Sequence, residues 1–446
     1  MAYNIVLTGS GQSMTVPAGT AITVATDAPS PSPPPSPAPS PTPPPSPPPI
    51  PATIPGIIYP QQFSPSGRTL GDFTGDDQPA FQAAFNAACN VTKWGGGVVC
   101  IPPPPLAYRW NSGCLIQPNA NQSQVRIKVE AFGVYQSIQY FGPNGSSFLR
   151  LTGVCDSEFS GLKGIDGPGN LQNVVYWDWF PQSGAGSASG NLLTNCRVQF
   201  GTGGGNVAFR LGQNAGFSDC NGFDIRGFGV QGQGAQYKDT AFQIAGGECL
   251  GNRFSSCRVS GVGTGFLTGP RLDMGETWTQ YTGGSDCVID NWLGSNNGAD
   301  GVGGDFLFQA AGINTINGCR LENGWRAVKM GAGANPNLTQ LNLRSFGLAS
   351  YNEPSDGNGV IYLSSTNSLT WHGGFAKQFA NAGFKALIKM AYTNSVASLR
   401  GVDVQQDAAG DFPVVVGDAS NRLEIANCRC SDSQGRFSGW MTNRMM

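Results

Sequence analysis

Apolar and polar residues recur along this chain with two different periods, and the change from one to the other falls near residue 90. Before it, Phe81, Ala84, Phe85 and Ala88 fall at i, i+3, i+4 and i+7, the single apolar stripe of an amphipathic helix. Asp76 and Asp77 stand where the helix start needs caps, and Pro79 sits in the first turn, where its missing N–H does no harm. The pattern predicts a helix from Asp77 to Cys89. Asn90 and Gly95-Gly96-Gly97 end it and turn the chain, and Val98, Val99 and Ile101 open a strand that Pro102 to Pro105 stop. Helical periodicity is absent afterwards.

From there on, short apolar runs of period two follow one another, among them 125–129, 148–151, 174–179, 192–200, 252–259, 313–321, 338–346, 396–404 and 422–430. Glycine punctuates nearly every gap. Cys-Arg-apolar recurs as Cys196-Arg197-Val198, Cys257-Arg258-Val259 and Cys319-Arg320-Leu321, and Cys428-Arg429-Cys430 keeps the alternation. Period two puts each Cys inside and each Arg outside. The intervals of 61, 62 and 109 residues read as three, three and five coils of roughly twenty to twenty-two residues. Asparagines beside the runs (Asn195, Asn252, Asn317, Asn323, Asn342, Asn394, Asn427) are expected to ladder with one another at turns. Two stretches break the rhythm, 268–286 and 347–359, and long loops on a rigid scaffold are where function concentrates.

The chain divides into three parts. Residues 1–27 hold two or three short strands, too few to bury a core alone, and are expected to attach or oligomerise. Residues 28–55 are almost wholly Pro, Ser and Ala, a polyproline II spacer of about 80 Å if fully extended. The body is 56–446, with an apolar tail from about 431 (Phe437, Trp440, Met441, Met445) suited to cap the last coil. This is the layout of an anchored appendage.

Gly71-Asp72, Asp76-Asp77, Ala80-Phe81-Gln82-Ala83-Ala84 and Gly95-Gly96-Gly97-Val98-Val99 together resemble the opening motif of the pectate-lyase-like superfamily. Phe73 stands where that motif commonly has glycine, and IPPPPLAY replaces its usual strand ending in Pro-Gly. The resemblance covers about thirty residues. It implies an all-β fold, a right-handed single-stranded parallel β-helix with the N-terminal α-helix as its cap. The family includes bacteriophage tailspikes and capsule depolymerases, which implies a homotrimer on a virion tail or baseplate, assembled in the host cytoplasm. Its members also include lyases, hydrolases and non-catalytic fibres, so the reaction stays open.

Composition narrows the chemistry. Charged residues are 12% and glycines number 64 of 446, the balance of a turn-rich solenoid. A net charge of −2 argues against nucleic acid or an anionic membrane as partner, and no apolar run is long enough to insert. The N-terminus lacks the basic and apolar regions of a secretory leader, and buried free thiols favour assembly in a reducing compartment; a secreted enzyme would predict both leader and disulfides. The sole histidine, His372, is expected to have no catalytic part, and no spacing of residues implies a metal or other cofactor.

Acid–base work therefore falls to carboxylates. Glycoside hydrolysis needs two of them roughly 5–9.5 Å apart, which outward residues one or two rungs apart on a parallel β-helix would meet. Glu322, Asp273 and Glu276 are the catalytic candidates, with Arg271, Trp278, Tyr281, Trp325, Trp292 and Asp290 as substrate contacts; Asp305 is a further carboxylate. Trp177 and Trp179 share one face, either core or sugar platform. The expected partner is a bacterial surface polysaccharide, cleaved by hydrolysis; a binding-only tail fibre and a polysaccharide lyase are the alternatives.

Overall fold

The computed structural model describes residues 56–65, 68–132, 136–181, 188–212, 220–245, 249–276, 285–298, 303–309, 312–331, 339–352, 356, 358–364, 367–377, 386–391, 393–405, 415–417, 420–431 and 437–441. Residues 1–49 form a separate unit from 50–446. The expected attachment segment, 1–27, and the expected polyproline spacer, 28–55, lie outside the described residues.

The helix spans Gln78–Cys89. Its stripe is closed to solvent (Phe81, Ala84, Phe85, Ala88), and Phe81 packs edge-on against Tyr108 at 4.8 Å and Trp110 at 5.1 Å. The two aspartates divide their work. Asp76 accepts the N–H of Gln78 at 3.1 Å, while Asp77, the residue at the cap position, makes no side-chain cap. Its carboxylate turns inward to Arg68 and accepts the N–H groups of Gly71 and Arg109, tying the motif to the first rungs.

After the helix the described strands, apart from the last, wind into a parallel β-solenoid of right-handed sense. Eleven parallel strands, from Cys114–Ile116 to Val415–Gly417, make one wall. A longer sheet makes the rest, bent along a corner where a left-handed residue either separates two short strands or sits within one long strand, as Ser345, Gly373 and Gly401 do in Thr339–Ala349, Asn367–Lys377 and Val396–Gln405. Asn195, Gly227, Ser256, Asn291, Gly318, Ser345, Gly373, Gly401 and Asn427 hold this corner at φ between +48° and +69°. Asn, Ser and Gly recur there because each reaches that region at least cost. The single runs expected at 192–200, 252–259 and 313–321 are therefore strand pairs, such as Leu192–Thr194 with Arg197–Gln199. At the C-terminal end Phe437–Met441 adds antiparallel to Cys428–Ser431.

Rung length departs from expectation. One outward column runs Lys163, Arg197, Gly229, Arg258, Leu293, Arg320, Gly347, Phe375, Asp403, Arg429, with steps of 26 to 35 residues. The cysteine intervals thus count two, two and four coils, not three, three and five. From Arg197 to Gly347 the residue before each member is buried: Cys196, Phe228, Cys257, Trp292, Cys319, Phe346. Small thiol and large ring alternate, which fills a column at constant volume without strain. All the described cysteines are free and buried, and burial pushes the Cys196, Cys257 and Cys319 thiols up to about 12.

Asparagines stitch coils rather than ladder. Asn252 Oδ1 accepts the N–H of Phe223 at 2.9 Å while its Nδ2 donates to Cys220 O at 3.1 Å; Asn191, Asn206 and Asn421 repeat the pattern. Each one satisfies two backbone groups of a neighbouring coil where the sheet ladder is interrupted. Asn195, Asn323, Asn394 and Asn427 instead supply positive φ.

Candidate functional site

The groove that stands out lies on the outer face of the long sheet, on the strands that follow the corner. Its volume is about 820 Å³. Lys163, Arg197, Arg258 and Arg320 line one column, with Gly229 and Leu293 on the rungs between. Two residues on, Gln199, Gln231, Ser260, Ser295 and Glu322 form a parallel column of amides, hydroxyls and one carboxylate. Six rungs at about 4.8 Å make the trough roughly 24 Å long.

Sequence explains the trough. Three-residue strands such as Arg197–Gln199, Arg258–Ser260 and Arg320–Glu322 each bury only the middle residue, so both flanking side chains face out. Where Gly229 replaces a side chain, Arg197 lies over the gap: a β-carbon on Gly229 would meet Arg197 Cγ at 3.3 Å. Leu293, 42% exposed, is an apolar step in the same wall.

Glu322 is the one carboxylate among the groove's lining residues. Arg320 donates to it at 2.5 Å, and its side chain is 35% exposed. Its neighbours in register are Ser295 and Ala349, so neither residue stacked directly against it is a second carboxyl.

Glu276 is elsewhere. It follows the eleven-stranded wall, where its Oε1 meets Arg271 at 2.9 Å and its Oε2 accepts from Gln243 Nε2 at 2.9 Å. Burial alone would raise this carboxyl, but the Arg271 guanidinium and N–H together with Gln243 hold it below the usual range. Arg271 also donates to Gly205 O at 2.6 Å, so the pair fixes a turn across coils. Asp273 lies in the short turn Leu272–Met274, with its side chain outside the description, and Trp278 and Tyr281 lie outside the described residues.

One tryptophan expectation is corrected and one open choice is decided. Trp292 is closed to solvent, 5.3 Å from Phe242 and from Phe306, so it is core and offers no platform. Trp177 and Trp179 are also fully buried, against Phe159 at 5.6 and 5.5 Å. Trp325 is half-buried. Asp290 accepts from Arg253 at 2.9 Å and from Asn317 at 2.8 Å and lines a separate trough with Asp286.

Asp305 turns into the solenoid interior, where Asn297 Nδ2 at 2.7 Å and the Tyr351 hydroxyl donate to it, and burial pushes it up to about 6. Its place in the solenoid interior makes it a structural group. His372 is exposed, in register between Arg344 and Arg400. Among the described residues no group of side chains is arranged to hold a metal ion, and no helix is long and apolar enough to cross a membrane.

No protein-family model matches the chain, and no curated protein sequence does. Solved structures do resemble its winding. A Geobacillus virus E2 protein, ORF18, is 12% identical over 84% of this chain, with a TM-score of 0.46; the chain spans 62% of that protein's length. The catalytic unit of an α-1,3-glucanase from Streptomyces thermodiastaticus is 13% identical over 88% of this chain and 70% of its own, at 0.45. An endo-xylogalacturonan hydrolase from Aspergillus tubingensis is 12% identical over 85% and 94%, at 0.47. At such identities the likeness is one of fold.

Proposed function

We propose that the protein is a phage tailspike-like appendage that holds a bacterial surface polysaccharide along the groove between Lys163 and Glu322. One observation carries this reading: a straight trough of guanidinium, amide and hydroxyl groups held in register along the solenoid axis and six rungs long. A linear glycan offers hydroxyls and ring oxygens at regular intervals and matches such a surface; a compact small molecule does not. On this reading residues 1–27 attach the chain to a virion tail or baseplate, 28–55 space it from the particle, and three copies associate.

Hydrolysis is the second reading, favoured by the position of Glu322 on the groove wall beside Arg320. A carboxylate-pair mechanism needs a companion within roughly 9.5 Å, which a neighbouring chain of the trimer would supply. The experiment uses purified full-length protein with a panel of bacterial capsules and lipopolysaccharides, reading retention on immobilised glycan, new reducing ends and unsaturated-uronate absorbance. Retention is expected. New reducing ends that vanish in Glu322→Gln, but not in Glu276→Gln or Asp273→Asn, establish hydrolysis at the groove. Retention with no product establishes a binding fibre, and no retention on any glycan rejects the reading.

A further inference from the structure

The groove's cations are not evenly distributed, and their spacing carries information about the ligand. Arg197, Arg258 and Arg320 stand on every second rung of one column. The rungs between carry Gly229, which has no side chain, and Leu293, which has no charge. Guanidinium therefore recurs about every 9.6 Å along the trough, two rungs of about 4.8 Å. Against the three arginines and Lys163 the groove sets one carboxylate, Glu322, in a chain whose net charge is −2. So this strip is a local cationic line on a protein that is otherwise slightly acidic.

Building on the glycan reading, we propose that the groove selects an acidic polysaccharide in which every second sugar carries the negative charge. An extended chain of pyranoses advances by about one rung per ring. A chain charged on every ring would set half its carboxylates against Gly229 and Leu293, where no cation meets them and an apolar side chain strips their water. A chain charged on alternate rings sets each carboxylate opposite an arginine, whose planar fork suits a carboxylate, and lays each neutral ring over glycine or leucine. The neighbouring column fits the neutral sugars' hydroxyls and amides with Gln231, Ser260 and Ser295. From Arg197 to Arg320, alternation of charge in the ligand thus mirrors alternation in the wall, and Lys163, one rung from Arg197, adds a second cation at that end. The same two-rung period fills the interior with Cys196, Cys257 and Cys319 between larger residues, so one repeat in the sequence sets both faces.

The test measures retention of the full-length protein on three immobilised polymers at low and physiological salt. They are hyaluronan, in which every second sugar is a glucuronate, polygalacturonate, in which every sugar is charged, and dextran, which is neutral. The expected result is preferential binding to hyaluronan that weakens as salt rises. Arg258→Gln should lower that binding about tenfold, the effect of losing one charge-assisted pair, and Arg253→Gln, outside the groove, should leave it unchanged. Equal or tighter binding to polygalacturonate overturns the alternation. Binding to dextran or to neutral capsules, with hyaluronan ignored, overturns the acidic ligand while leaving the glycan reading intact. Silence on these polymers and on the whole capsule panel overturns both.

Discussion

Trp292 stacks one rung above Cys257 on the same inward column, with Cys319 one rung above it in turn. The ring fills the space that the two small thiols leave, and it meets Phe242 and Phe306 at 5.3 Å. Trp292→Ala opens a cavity that rigid neighbours on both rungs cannot close. It should cost about 3–5 kcal/mol in urea unfolding, whereas Cys257→Ala should cost less than about 2 kcal/mol. Equal losses would mean that the column is not packed as an alternating stack.

Asp305 gives the solenoid a pH dependence of defined sign. Its folded carboxyl is raised to about 6 by burial, above the unfolded value near 4, so the folded state holds the proton more tightly. The stability it contributes is full below about pH 4 and falls as pH rises through about 6, by roughly 2–3 kcal/mol. Asp239, raised by burial to about 7, adds the same sign over a slightly wider window. Unfolding free energies measured from pH 4 to 7.5 should decline, and Asp305→Asn should flatten part of that decline. A curve that rises through this window contradicts the assignment.

The corner column predicts which substitutions the backbone tolerates. A β-carbon at Gly401 would meet nothing within 4 Å, so Gly401→Ala tests conformation alone at φ +63°. It should lose about 1–2 kcal/mol. Ser345→Gly, at φ +48°, should be neutral or gain up to about 1 kcal/mol. Thermal melting of the two variants checks both.

Much of the fold was legible because period two survives in the sequence of strands of five residues or more. Val207–Leu211, Thr240–Ile244 and the helix stripe from Phe81 to Ala88 follow directly from their apolar spacing. Three-residue strands such as Gly229–Gln231 and Leu293–Ser295 bury one residue each and leave no alternation to detect. That hid the corner and led to the short coil estimate. The site was half visible: the Cys-Arg repeats placed Arg197, Arg258 and Arg320 outside, yet only their thiols drew attention. Glu322 reaches the groove, but Trp292 does not: it sits at the corner between Ser285–Asp290 and Leu293–Ser295, where no alternation marks whether a ring faces in or out. That Glu276 follows one sheet while Glu322 lies on the other depends on how coils wind, which spacing along the chain does not encode.

The central claim is that a glycan lies in the trough between Lys163 and Glu322. Ser260 faces out from its floor and is half-buried, so Ser260→Trp fills the trough without touching the core. Retention of this variant on whichever surface polysaccharide the unaltered protein binds, with melting temperature measured alongside, tests that claim most directly. An unchanged melting temperature with binding reduced at least tenfold is the predicted result; unchanged binding would place the glycan elsewhere on the solenoid.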